Sequence, residues 1–420
     1  MNELDNSFKS ITPFMNEQDN SFLMDAAWQA LPAEIETELH RILHYWEQFS
    51  MDHRGGGFVG RIDEDNKADL LSPKGSVLNA RILWSFSAAY NYTGNPRHLE
   101  LATRAFHYIR EFLTDPIAGG LYWSVDYQGK MLESHKQIYA QAFGIYGLSE
   151  YYRATKEEKA LKMALDLYLL IEKYSRDPQY GGYTDAFARD WSFLEDKRLS
   201  AKDENASKTM NTHLHIVEAY ANLYEVWPSQ NLKTDIIHLL QIFDDKIINH
   251  SHYHLGLFFS NDWQMDDSII SYGHDIEAGW LLQSCAESIG ESASVSVARR
   301  NALTITRAAM EGLDKDGGLW YEYNSHTKEK IFEKHWWPQA EALVGFCNAW
   351  QLTGDSLYKN ALLKNWHFIQ NHILDKSQGE WLWGIDRNKG QMAGQDKVGI
   401  WKFPYHNSRA CLEILERLKA

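Results

Sequence analysis

Six glycine-led, aromatic-rich stretches recur along the chain at nearly constant spacing, and they constrain its fold more than any other feature. They read "GGFVGRID" at 56–63, "GGLYWSVD" at 119–126, "GGYTDAFARDW" at 181–191, "LGLFFSNDW" at 255–263, "GGLWYEYN" at 317–324 and "GEWLWGID" at 379–386. From Gly57 through Gly120, Gly182, Gly256 and Gly318 to Gly379 the intervals are 63, 62, 74, 62 and 61 residues. Self-similarity at a fixed period is the signature of a repeat architecture. The third interval alone is longer, by about a dozen residues.

Between the markers, apolar residues return every three to four positions, the period of a helix. This holds in "ILWSFSAAYNYTG" (82–94) and "AFHYIREFL" (105–113), and again in "QIYAQAFGIYGLSEYYRA" (137–154) and "MALDLYLLIEKY" (163–174). Each unit therefore reads helix, turn ("TGNPRH", "ATKEEK", "TGDSLY"), helix, glycine loop. Pro and Gly punctuate these joints, and no linker marks a domain boundary. Six helical pairs either stack into an open solenoid or close into a ring. The small copy number, the aromatic loops and the missing linker favour closure. The expectation is an all-α toroid of six helical pairs over 25–420, with short aromatic-rich hairpins in the loops. A disordered lead-in is expected over 1–24, where "MNELDNSF" is nearly duplicated by "MNEQDNSF".

A net charge of -15 disfavours nucleic acid and anionic membranes as partners, since both need a basic surface. No apolar run nears the roughly 18 residues of a membrane span. The acidic N-terminus shows no signal-peptide pattern. Cys285, Cys347 and Cys411 form no close pair, which suits a reducing cytosol. A cytoplasmic protein without an obligatory protein partner is expected.

Polar residues break the apolar helices in four places. Arg81 stands in "SVLNARILWSF", where it either ties loop carbonyls or serves a site. Asn211 and His215, four apart in "KTMNTHLHIVEAY", share a helical stripe, with His213 pointing elsewhere. His274 and Glu277, three apart in "SYGHDIEAGW", share another. His406 follows Pro404 and Tyr405 in "WKFPYHNSRACLEIL", where capping by Asn407 or Ser408 would place it at a helix N-terminus and keep it neutral. "KHWWPQAEALVGF" adds Trp336 and Trp337, one of which is expected in the core. HExxH, CxxC and GxSxG patterns are all absent, and no metal or nucleotide cofactor is expected. Aromatic platforms with few fixed charges suit a sugar. Paired histidines suit proton transfer at neutral pH, with activity falling as pH drops through about 6 to 7.

At these residues the chain resembles the N-acylglucosamine 2-epimerase superfamily, above all in "ARILWSFSAAY" (80–90), "KTMNTHLHIVEAY", "SYGHDIEA", "WWPQAEALVGF" and "WKFPYHNSRAC". The resemblance spans nearly the whole chain after residue 30. It implies an (α/α)6 barrel and a reaction without metal or nucleotide. "SYGHDIEA" and "PYHN" favour the branch that inverts C2 of the reducing-end glucose in β-1,4-linked disaccharides. Aldose–ketose isomerases of mannose-type sugars and N-acylglucosamine epimerases are the alternatives. The resemblance implies His274 and His406 as the acid/base pair, with His215 assisting at O1 and O2. It implies Arg81 and Asn211 on the sugar oxygens, Glu277 orienting a histidine or binding hydroxyls, and Tyr139 as a hydroxyl contact. Trp401 and one of Trp336 and Trp337 are implied as stacking platforms, and Asp203, in the long third interval, as a loop acid.

Overall fold

A computed structural model describes residues 17–419 except 267. Among the described residues, twelve α-helices form six pairs. The inner helices are α2 (Ser76–Thr93), α4 (Ile138–Thr155), α6 (Met210–Val226), α8 (Tyr272–Ile289), α10 (Trp336–Thr353) and α12 (Tyr405–Lys419). Their outer partners are α3 (Pro96–Tyr108), α5 (Glu158–Leu170), α7 (Gln230–Ile242), α9 (Ser292–Ala309), α11 (Ser356–Phe368) and α1 (Glu17–Phe49). Each inner helix packs on the next, and α12 returns to α2 while α1 covers α12, so the ring is closed. The fold is an (α/α)6 barrel. The helix α1 begins inside the segment expected to be a lead-in, whose first sixteen residues lie outside the described ones.

Burial separates the two helix classes. Residues 138–151 of α4 are buried without a break, as expected of a helix that is apolar on all sides. In α3 the buried set is a stripe built on Leu101, Ala102, Ala105 and Phe106, the amphipathic pattern of an outer layer. The turns between partners follow from their sequences. In "TGNP" Gly94 closes α2 with φ +67 and Asn95 then caps α3 by accepting the Arg97 N–H. "TGDS" repeats this with Gly354 and Asp355.

The glycine loops are equally regular. Each outer helix ends at one antiparallel bridge: Met51 with Phe58, Thr114 with Leu121, Arg176 with Tyr183, Ile248 with Leu255, Leu313 with Leu319, and Leu374 with Trp381. Gly182 shows why glycine leads them: its φ is +75, and a Cβ there would meet the Trp263 ring at 2.5 Å. The chain then pairs in strands of two or three residues before the next inner helix. Five of these joints bury a lysine on an aspartate: Lys74–Asp52, Lys136–Asp115, Lys208–Asp177, Lys334–Asp314 and Lys397–Asp375. At the fourth joint His254 and Asp275 pair at 2.7 Å in their place. Every inner helix thus follows an anchored joint at the same end of the barrel. No helix among the described residues is long and apolar enough to cross a membrane.

Candidate active site

A cavity of about 500 Å³ opens at the barrel end where the inner helices begin. The repeat explains what surrounds it. The sixth residue of α2, α4, α6, α8 and α10, and the fifth of α12, stand at equivalent places: Arg81, Phe143, His215, Glu277, Glu341 and Arg409. One turn nearer the mouth come Tyr139, Asn211, His274, Trp337 and His406. A six-fold scaffold therefore carries a six-fold varied ring of side chains, five of them polar at a depth where apolar residues are the rule.

All eleven residues singled out in the sequence border this cavity: Arg81, Tyr139, Asp203, Asn211, His215, His274, Glu277, Trp336, Trp337, Trp401 and His406. His213 indeed turns away, accepting the Tyr183 N–H at 2.9 Å and bonding the Thr209 carbonyl at 2.7 Å. Trp337 is half-buried and bridges two histidines, its ring 4.8 Å from His274 and 5.6 Å from His406. Trp336 is fully buried against Lys402, so of the adjacent pair Trp337 is the exposed platform. Trp401 lies 6.3 Å from Tyr139 on the other wall. Asp203 accepts the Ser200 N–H at 2.8 Å, within the long third loop, whose residues 199–203 border the cavity.

Two histidines are set by buried carboxylates. His215 Nδ1 lies 2.8 Å from Glu218 and His406 Nδ1 lies 2.5 Å from Glu341. Glu341 also accepts from Arg409 and Trp280, and Glu218 from Arg409 and Tyr405. Each carboxylate is surrounded by donors, so each histidine donates from Nδ1–H and presents the Nε2 lone pair as a base. His274 Nδ1 instead meets the Ser271 hydroxyl at 2.8 Å. Glu277 bonds Arg409 at 2.7 Å and lies 3.8 Å from His406 Nδ1. Here the structure corrects one expectation. Asn407 and Ser408 do not cap α12, because the helix already begins at Tyr405: Asn407 donates to Glu380, and the Ser408 hydroxyl to the Pro404 carbonyl.

Arg81 is clamped flat, its guanidinium 3.9 Å from both the Phe143 and Phe403 rings. It donates to the Tyr139 hydroxyl at 2.6 Å, and its buried Nε has no partner. Burial pushes the Tyr139 hydroxyl up to about 12, against the pull of Arg81. Burial and the neighbouring Glu341 raise Glu277 to about 7. Burial would raise Glu218 too, but Arg409 and the His215 bond outweigh it and hold the group at about 2. Glu277, Glu341 and His406 bring donor atoms within 4.8 Å, a spacing that could take a metal ion. The Arg409 guanidinium already donates to both carboxylates there, so a cation is in place without one.

Burial lowers His274 to about 3. Burial, then Arg81 and Arg409, push His406 well below the imidazole range. The expected loss of activity between pH 6 and 7 is therefore not assigned to this pair. In an NMR titration both rings should stay neutral well below the pH at which a free imidazole takes up its proton. A midpoint near 6.5 for either would refute the buried assignment. Because the unfolded chain takes up these protons near 6.5 and the folded one does not, the fold weakens as pH falls from there toward each folded value.

A family model described as N-acylglucosamine 2-epimerase matches residues 56–410. The chain belongs to the N-acylglucosamine 2-epimerase family. It is 43% identical to the cellobiose 2-epimerase of Bacteroides fragilis, over 92% of this chain and 99% of that one. With the cellobiose 2-epimerase of Dictyoglomus turgidum the identity is 36%, over 93% and 99%. The solved cellobiose 2-epimerase from Bacillus thermoamylovorans superposes with a TM-score of 0.88 at 36% identity, covering 93% of this chain and 100% of its own. Like these relatives, this N-acylglucosamine 2-epimerase family member is a carbohydrate isomerase.

The residues that sequence reasoning left unassigned are Glu218, Glu341 and Arg409, together with Ser271. Glu341 and Arg409 stand on the same rung as Arg81, His215 and Glu277, so aligning the six repeats on their inner helices would have found them.

Proposed function

We propose that the protein reversibly inverts C2 of the reducing-end glucose in β-1,4-linked disaccharides such as cellobiose and lactose. The observation that carries this reading is the set of three histidines around one cavity with aromatic walls, two of them held by carboxylates as bases. The relatives named above support the disaccharide substrate. In this reading the sugar ring opens and a histidine removes the proton α to the C1 aldehyde, leaving a cis-enediolate. Arg81 and Asn211 bind its oxygens. Rotation about C2–C3 presents the other face, and the second histidine returns a proton to C2. His274 and His406 are the acid/base pair, and His215 assists at O1 and O2. Trp337 and Trp401 stack the sugar faces, with Tyr139, Glu277 and Asp203 on its hydroxyls.

Cellobiose incubated with the enzyme in D2O containing EDTA, followed by NMR, should yield the mannose-type epimer with deuterium entering C2. Predominant ketose would move the assignment to an aldose–ketose isomerase. Release of monosaccharide, or no epimer at all, would sink it.

A further inference from the structure

Arg409 touches no part of the active-site cavity, yet every carboxylate that governs it converges on this one side chain. Its Nη1 donates to Glu218 at 2.5 Å, and its Nη2 to Glu277 and Glu341, both at 2.7 Å. All four groups are at most 3% exposed. Three carboxylates confined with one cation in a dry site cannot all stay ionised once that cation is gone, since burial favours the neutral acid. A protonated Glu218 or Glu341 donates rather than accepts. The hydrogen bond to the histidine then reverses, Nδ1 becomes the acceptor, and the proton moves to Nε2, where it blocks the lone pair facing the sugar.

We infer that Arg409 is the positioning residue that sets the tautomer of both His215 and His406, acting through Glu218 and Glu341 from behind the site. A second cavity, of about 460 Å³, supports a test from that side. It opens at the opposite end of the barrel and is lined by Arg409, Glu218, Trp280 and Glu416, whereas His215 and His406 face only the front cavity. A small cation from solvent can thus reach the place of the guanidinium without passing through the sugar site.

The rate arm of the test rests on the epimerase reading; the tautomer arm does not. In Arg409→Ala, kcat should fall about 100-fold, the low end of what a positioned base contributes, with KM moving by less than about threefold. The lost rate should return as pH rises, because deprotonating the carboxylates restores them as acceptors. Millimolar guanidinium should restore part of it at constant pH, where equal sodium chloride does not. Without sugar, 15N NMR of the histidines should show His215 and His406 as Nδ1–H tautomers in the wild type and as Nε2–H in the variant. If Arg409→Ala does not fold, Arg409→Lys keeps the buried charge, and its one ammonium should leave at least one of the two histidines switched. Unchanged tautomers, or a loss of rate with the wild-type pH profile, overturn the inference. A wild type that turns over no disaccharide overturns the proposed function instead, while the tautomers still decide the role of Arg409.

Discussion

His274→Ala and His406→Ala should each lose at least 100-fold in turnover, the usual minimum for a positioned general base. Inverting C2 needs a proton taken from one face and another delivered to the opposite one, so neither histidine can stand in for its partner. Their settings differ, since His406 is held by Glu341 and His274 by Ser271, but both border the same cavity on either side of Trp337. The double variant should cost far less than the product of the single effects, because residues that act as a unit are not additive. Stability is the control. Both variants should keep their helical circular dichroism and melt within a few degrees of wild type, since Glu341 keeps its bonds to Arg409 and Trp280 when His406 is gone. A His274→Ala protein that melts early yet turns over normally at low temperature would place His274 in the scaffold and end the two-base assignment.

Arg81→Lys should also be severely impaired, although the charge survives. The guanidinium lies between two phenylalanine rings with one donor on Tyr139 and a second, Nε, unspent. A lysine offers a point charge with no planar fork and stacks poorly between rings. Each lost bond to a charged oxygen is worth about 1.5–3 kcal/mol, roughly one to two decades in rate. The drop should appear in kcat/KM for the disaccharide while the protein stays folded. Near-full activity in the lysine variant would return Arg81 to a purely structural part.

Much of the fold could be read from the chain because its causes are local. A glycine needed at positive φ, as at Gly182, leaves a mark that recurs in five of the six repeats, with Tyr253 in that conformation in the fourth. Apolar period and the Gly-Asn or Gly-Asp joints identify helices and turns in the same way. The site could be read for a related reason: Arg81, Asn211, His215, His274 and Glu277 interrupt helices that are otherwise apolar on every side. Arg409 escaped because α12 also carries Glu413, Glu416, Arg417 and Lys419, none of them buried, so a charge in that helix ordinarily faces water. The long "WKFPYHNSRAC" segment gives no local sign that Arg409 points to the axis rather than to solvent.

By itself, then, the sequence determined the unit, its number and the residues out of place in a buried helix, all properties of neighbours within a turn or two. Only the tertiary structure decided which of them meet. Arg81 and Arg409 lie more than three hundred residues apart in the chain and yet share one rung, because α12 closes on α2. Protonation was decided there as well. Whether an imidazole is a base at neutral pH depends on the water stripped from it and on the charges that face it, and both come from helices that are remote in sequence.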